Sequence, residues 1–280
     1  MNVTIVGVGL ISGSFALAMK KHGFAQHVIG VSRTKASEQK ALDLGLIDET
    51  LPLEEAIAKS DFIYVAIPVD ATIPVMKKIM DLIDDTKIVV DAGSTKFALC
   101  EALKDHPRRK RFVATHPMWG TEYSGPEAAV INAFAGRACV ICEKEKSDEQ
   151  AVALVEKIYT MLGMNLVYMD AEAHDVHAAY VSHISHITSF ALANTVLEKE
   201  KEEDAIFQLA GGGFESTVRL AKSNPGMWAP IFMQNRENVL DVLNEHISQL
   251  RKFKSALEKE NIHYLNELME NANKIRRIIK

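Results

Sequence analysis

A chain of 280 residues, 48% of them hydrophobic, has enough apolar material for a sizeable core, which excludes intrinsic disorder and suggests two domains or one large one. Its 32 basic and 37 acidic residues leave a formal net charge of −5, so nucleic acid is not expected as a partner, since phosphate binding needs a concentrated basic surface. Met1 leads straight into Val3-Thr4-Ile5-Val6 without a charged leader, and no long apolar run follows anywhere, so the expectation is a cytoplasmic protein with no membrane span.

Short β-branched runs open the chain and alternate with amphipathic stretches, predicting strands at 3–6, 28–31, 62–66, 87–90, 112–114, 139–142 and 166–168. This is the βαβ rhythm of a doubly wound, mostly parallel sheet. After Asp170 the rhythm stops. Neither 171–203 nor 231–280 contains glycine or proline, so a second, all-helical domain is expected, with the division at 1–168 and 169–280. Breakers at Gly211-Gly212-Gly213 and Ser223-Asn224-Pro225-Gly226 predict short helices and turns over 204–228. Over 230–259, Phe232, Val239, Leu243, Ile247, Leu250, Phe253 and Leu257 mark one face of a single helix about 45 Å long. A helix of that length is expected to bury its stripe against a second copy of the chain, making a homodimer.

The segment Gly7-Val8-Gly9-Leu10-Ile11-Ser12-Gly13-Ser14 sits between the first predicted strand and a helical pattern over 15–21, the context of a dinucleotide fingerprint. Gly7 allows the tight turn. Gly9 lets the backbone approach a pyrophosphate, which the helix start at Leu10 and Ile11 would stabilise through free N–H groups. Ser12 replaces the third glycine, small enough for close packing, with Gly13 next to it. The second strand ends in Ser32-Arg33-Thr34, with no carboxylate for a ribose 2′-hydroxyl. A guanidinium flanked by two hydroxyls suits a 2′-phosphate, so NADP is the expected cofactor, with NAD left open because the same arginine can stack on adenine. A Rossmann-type nucleotide domain follows.

The proline after His116 biases that histidine toward extended backbone at the carboxyl end of the fifth main run, where open α/β sheets bind ligands. The alternative is a loop histidine that caps or packs. Cys139 and Cys142 lie three apart on a strand and so point to opposite faces; with Cys100 they are expected to be buried structural thiols rather than a redox pair.

Together, the fingerprint, Asp91-Ala92-Gly93-Ser94-Thr95-Lys96, His116-Pro117-Met118-Trp119-Gly120-Thr121-Glu122, His174-Asp175 and Ser182-His183-Ile184-Ser185-His186 resemble the prephenate/arogenate dehydrogenase family of tyrosine biosynthesis. The likeness continues through Gly211-Gly212-Gly213-Phe214, Arg219-Leu220-Ala221, Asn224-Pro225 and Met227-Trp228, spanning nearly the whole chain. The resemblance implies oxidative decarboxylation of prephenate to 4-hydroxyphenylpyruvate, or of arogenate to tyrosine. Hydride leaves C4 of a cyclohexadienol for NAD(P)+, the hydroxyl becomes a carbonyl, and the ring carboxylate departs as carbon dioxide.

By the same resemblance His116 is the catalytic histidine that accepts the C4 hydroxyl proton or hydrogen bond, and Ser94 hydrogen-bonds in the same site. Arg219 holds a substrate carboxylate, with His186, His183, Thr121 and Glu122 as further substrate contacts. Glu215-Ser216-Thr217-Val218 ahead of the arginine, and Trp119 in place of a small residue, depart from the family's pattern near where a keto group would be told from an amino group. His174 and His177 repeat the spacing of His183 and His186, yet histidines spread along one helix do not converge on one ion, so no metal is expected. Two rival readings are a β-hydroxyacid dehydrogenase of the 6-phosphogluconate type, which depends on a helix lysine that is missing between Lys157 and Lys199, and a non-catalytic NADP-binding dimeric sensor.

Overall fold

The computed structural model describes residues 1–200 and 209–278; the expectations for 201–208 lie outside the described residues. Eight strands make one sheet: β1 (Asn2–Val6), β2 (His27–Val31), β3 (Glu49–Thr50), β4 (Phe62–Val65), β5 (Ile88–Asp91), β6 (Phe112–Pro117), β7 (Ala138–Cys142) and β8 (Asn165–Met169). Their spatial order is β3-β2-β1-β4-β5-β6-β7-β8. All pairs are parallel except β6 with β7, where His116 faces Val140. The order reverses at β1, which lies between β2 and β4, so a crevice opens at the carboxyl ends of β1 and β4.

Helices α1 (Leu10–Lys21), α2 (Lys35–Asp43), α3 (Leu53–Lys59), α4 (Val69–Leu82), α5 (Phe97–Leu103) and α6 (Glu149–Met161) connect the strands. Strand alternation sorts the core into two layers. Val3, Ile5, Tyr64 and Val90 pack with Phe15 and Tyr159 on one face, and Val6, Ile63, Val65 and Val89 pack with Met76, Ile79 and Leu103 on the other. Cys139 belongs to the first layer and Cys142 to the second, both buried and free, as strand geometry requires. The two-residue β3 is absent from the predicted set because Glu49-Thr50 carries no apolar run.

Beyond β8 the described chain is helical: α7 (Ala171–Ala178), a π-helical turn (Ala179–His183), α8 (Ile184–Glu200), α9 (Gly212–Val218), α10 (Pro225–Gln234), α11 (Arg236–Glu258) and α12 (Ile262–Ala272). The single helix expected over 230–259 is two helices. Asn235, at φ −105° and ψ 30°, ends α10, because its side-chain amide is drawn inward to the Asp175 carbonyl oxygen at 2.7 Å. With 23 residues, α11 is about 35 Å long rather than 45 Å. A second break comes at Glu260, with φ 49°, followed by Asn261, whose side chain accepts the Tyr264 N–H at 3.0 Å to start α12. Among the described residues, no helix is long and apolar enough to cross a membrane.

Compactness divides the chain into Met1–Asn235 and Arg236–Lys280. The first unit extends past the end of the βαβ rhythm because α7 and α10 pack back on the sheet layers. Ala171 joins the second core layer, and Trp228 and Ile231 close over Val69 of α4.

Gly7 leaves β1 at φ +90°, and a Cβ there would stand 2.4 Å from the Ala66 carbonyl oxygen. Gly9 has extended backbone and open space in the same direction. Gly7→Ala is therefore expected to lose at least ~2 kcal/mol of stability, from left-handed strain plus overlap with backbone. Gly9→Ala should stay within about 1 kcal/mol of the parent, as a helix-cap change. Urea unfolding without ligand checks both; equal midpoints for the two variants would contradict this steric account.

Candidate active site

The turn after β1 forms one end of the site. The Ser12 hydroxyl accepts the Gly9 N–H at 2.9 Å and donates to the Gly7 carbonyl oxygen, clamping the turn. The close-packing role falls instead to Gly13, where a Cβ would meet Leu46 Cδ1 at 2.9 Å and Ala129 Cβ at 3.0 Å. With Gly9 satisfied by Ser12, the first-turn N–H groups of Leu10 and Ile11 have no helical acceptor and lie at the positive end of α1. A turn without a Cβ at Gly9, facing a helix amino terminus, fits a pyrophosphate. Ser32 is half-buried after β2, and Arg33 is exposed with no protein partner among the described residues. Thr34 caps α2, accepting the Ser37 N–H at 3.3 Å and donating to Ser37 Oγ at 2.8 Å, so its hydroxyl is already committed.

The other end is built at the carboxyl ends of β5 and β6. Asp91, fully buried, accepts the Gly93 N–H at 2.9 Å and the Thr115 N–H at 3.2 Å and pairs with the fully buried Lys96 ammonium. These contacts fold the 92–96 loop back on itself and leave Ser94 half-buried, its hydroxyl without a protein partner among the described residues. His116, half-buried on β6, has Nδ1 2.8 Å from Nε2 of His174 on α7. His174 Nδ1 is in turn 2.7 Å from Asp175 Oδ1. Burial, and then the nearby His174, Lys96 and His183, hold the His116 pKa well below its ordinary 6.5. The ring is neutral at pH 7 and can act as a base.

The remaining sequence-predicted residues lie on the π-helical turn and α8, on the 3₁₀ turn 219–222 after α9, and on the loop after β6. His186, 9% exposed, has Nδ1 3.1 Å from the Ser182 carbonyl oxygen and stacks on Trp228 with ring centroids 3.4 Å apart. Because a carbonyl only accepts, Nδ1 carries the hydrogen and Nε2 is left as an acceptor. Burial lowers the His186 pKa, and the Arg219 charge lowers it further. Trp228 has its indole N–H buried without a partner among the described residues. Arg219 Nη1 donates to Glu122 Oε2 at 3.1 Å. Thr121 accepts the Tyr123 N–H at 3.2 Å, a turn-forming contact.

His183 differs from the expectation of a substrate-facing residue: it is 1% exposed, and its Nδ1 faces the Asn235 amide at 3.2 Å. Burial brings its pKa down to about 4. Trp119, unplaced by sequence, packs edge-on against Phe134 of the first core layer with centroids 5.8 Å apart. Asp91, Lys96, Asp175 and Asn235 join the site without being expected there from sequence. The acidic start and basic end of the loop after β5, and the adjacent His174-Asp175 pair, were the available signals; Asn235 had none.

A family model described as the nucleotide-binding domain of prephenate dehydrogenase matches residues 15–168, and one described as the dimerization domain of prephenate dehydrogenase matches residues 170–271. The crystal structure of prephenate dehydrogenase from Aquifex aeolicus, in complex with hydroxyphenyl propionate and NAD+, is similar with a TM-score of 0.91 at 33% identity, over 100% of this chain and 98% of that one. The Bacillus subtilis prephenate dehydrogenase is 29% identical over 98% of this chain and 75% of its own length. The Zymomonas mobilis cyclohexadienyl dehydrogenase is 28% identical over 100% and 96%. With both family models matched in order over most of the chain, the chain belongs to the prephenate dehydrogenase family.

Proposed function

We propose that the chain catalyses oxidative decarboxylation of prephenate to 4-hydroxyphenylpyruvate, or of arogenate to tyrosine, with His116 as the base. The observation that carries this reading is the neutral His116 at the carboxyl end of β6, its second nitrogen already engaged by His174. A nicotinamide dinucleotide, when bound, supplies the acceptor for the C4 hydride.

The chain's own residues do the rest. His116 Nε2 receives the proton of the C4 hydroxyl, and Ser94 hydrogen-bonds beside it. Arg219 holds a carboxylate of the substrate with the part of its guanidinium fork that Glu122 does not occupy. His186 accepts from a substrate donor at Nε2, its ring held flat by Trp228. Thr121 and Glu122 border that end, and His183 supports Asn235 rather than touching substrate. The nucleotide domain is 1–168 and the helical substrate and dimer domain 169–280. Ser32 and Arg33 receive a 2′-phosphate, which makes NADP the preferred dinucleotide.

The dimer forms through the C-terminal helices, because Leu240, Ile247, Leu250 and Leu257 of α11 are exposed at spacings of seven and three, the a/d pattern of a helix seam.

Incubating the protein with NADP+ or NAD+ and either substrate, and following reduced cofactor at 340 nm, tests the reaction; silence with both substrates would leave a non-catalytic sensor. His116→Asn should lower kcat by about 10²–10⁴-fold with cofactor binding intact. Because the His116 pKa is lowered, the neutral form persists as pH falls through 6.5, so the acid limb of kcat/KM should lie below that value; a limb above it contradicts the assignment.

For the cofactor, Arg33→Ala should weaken NADP by about 10–100-fold, as loss of a charged hydrogen bond, and weaken NAD little; equal losses in fluorescence titration would sink the 2′-phosphate role.

For the assembly, Leu250→Asp with Leu257→Asp, at residues 56% and 64% exposed in one chain, should convert the dimer to monomer in sedimentation equilibrium. An unchanged mass would place the dimer contact elsewhere.

A further inference from the structure

We propose that His174 is a positioning residue for His116: held by Asp175, it fixes the neutral His116 ring in the Nδ1–H form and takes up that proton as Nε2 receives one from the substrate hydroxyl. This inference rests on the reading of His116 as the base.

The proton assignment follows from which groups can only accept. Asp175 Oδ1 accepts the Lys96 N–H at 2.7 Å and Oδ2 accepts the Phe97 N–H at 3.0 Å, so the carboxylate is an acceptor on both oxygens. His174 Nδ1, 2.7 Å from Oδ1, must then carry the hydrogen. With His174 as a neutral imidazole, the form we assign to the resting pair, its single N–H is at Nδ1 and Nε2 is a lone pair. It faces His116 Nδ1 at 2.8 Å, and that contact is a hydrogen bond only if His116 Nδ1 donates. The one nitrogen of His116 left for chemistry is Nε2, without a proton, which is the form a base requires. Asn235 holds the backbone of the same turn by donating to the Asp175 carbonyl oxygen at 2.7 Å.

The positive charge that the reaction creates ends on His174. A cation held on His116 would sit in a buried setting with Lys96, His174 and His183 as its titratable neighbours, each of which opposes it. Among the described residues, no ion pair joins a carboxylate to His116, and the Asp91 carboxylate is taken by Lys96. On His174 the charge lies against Asp175. The step balances as follows: the C4 O–H bond breaks and a bond forms to His116 Nε2, while the Nδ1–H bond of His116 breaks and that proton joins His174 Nε2. His116 is then neutral again and His174 is an imidazolium beside a carboxylate. Release of the Nε2 proton to water, with return of the shared proton, resets the pair. The arrangement lets a ring that burial keeps neutral act as a base without storing the charge.

The test reads protons directly. In protein labelled with ¹⁵N-histidine, with the His116 signal among the 10 histidines identified by its loss in His116→Asn, wild type should show Nδ1–H and bare Nε2 near pH 7.5. His174→Leu removes the acceptor, and the population should move toward Nε2–H; His174→Gln offers a carbonyl oxygen and should retain Nδ1–H. Gln cannot take up a proton, so its kcat should fall by about 10²-fold while KM stays within about threefold. An Nε2–H signal in wild type, or an unchanged tautomer in His174→Leu, overturns the positioning role. A wild-type kcat in His174→Gln overturns the proton uptake. The spectra need no turnover, so inactivity toward both substrates would defeat the proposed reaction separately from this inference.

Discussion

The Asp175 carboxylate joins the two kinds of structure in the first compact unit. It sits at the amino terminus of α5 and accepts the N–H groups of Lys96 and Phe97, doing for that helix what a local cap residue would do, from 79 residues downstream. A cap of this kind contributes about 1 kcal/mol, with a further gain from a negative charge at the positive end of a helix. Its larger effect is directional. A carboxylate that is an acceptor everywhere leaves its third partner no choice but to donate, and that partner is His174. The fold's attachment of α7 to the sheet and the protonation pattern of the site are therefore one interaction.

A second carboxylate works at the opposite end of the same loop. Asp91 holds Gly93 and the Lys96 side chain, while Asp175 holds the Lys96 backbone, so residues 92–96 are tethered at both ends without regular structure of their own. Buried ion pairs such as Asp91 with Lys96 cost about as much in desolvation as they return in attraction, and breaking one partner is worth roughly 3–5 kcal/mol of damage. The pair is better understood by what it arranges. It sets Ser94 at the carboxyl end of β5, and it keeps an ammonium near His116, where it helps the imidazole stay uncharged.

Much of this was legible in the chain. The central strands β1, β4 and β5 follow from their apolar runs, since a strand buried on both faces must be apolar throughout, and the nucleotide turn follows from a glycine that the backbone geometry demands at position 7. The three free cysteines follow from strand and helix burial. What was not legible has a common cause, which is that the deciding partner is distant. Asn235 lies in an unbroken helical stretch, and only the Asp175 carbonyl and His183 make it an end. His183 and His186 look equivalent by spacing, and only packing makes one a buried support and the other a ring with a free nitrogen. Ser12 reads as a small substitute for glycine, yet its hydroxyl ties the turn.

The π-helical turn at Ala179–His183 sets the phase of α8 relative to α7. An α-helix advances about 100° per residue, so twelve residues would leave His186 about 120° around the axis from His174. A single π turn accommodates one surplus residue, withdrawing about 100° of that rotation and bringing the two rings to nearly the same side. His174 and His186 thus owe their relative direction to an insertion rather than a periodicity. In this part of the chain, residue count acts as an angular setting.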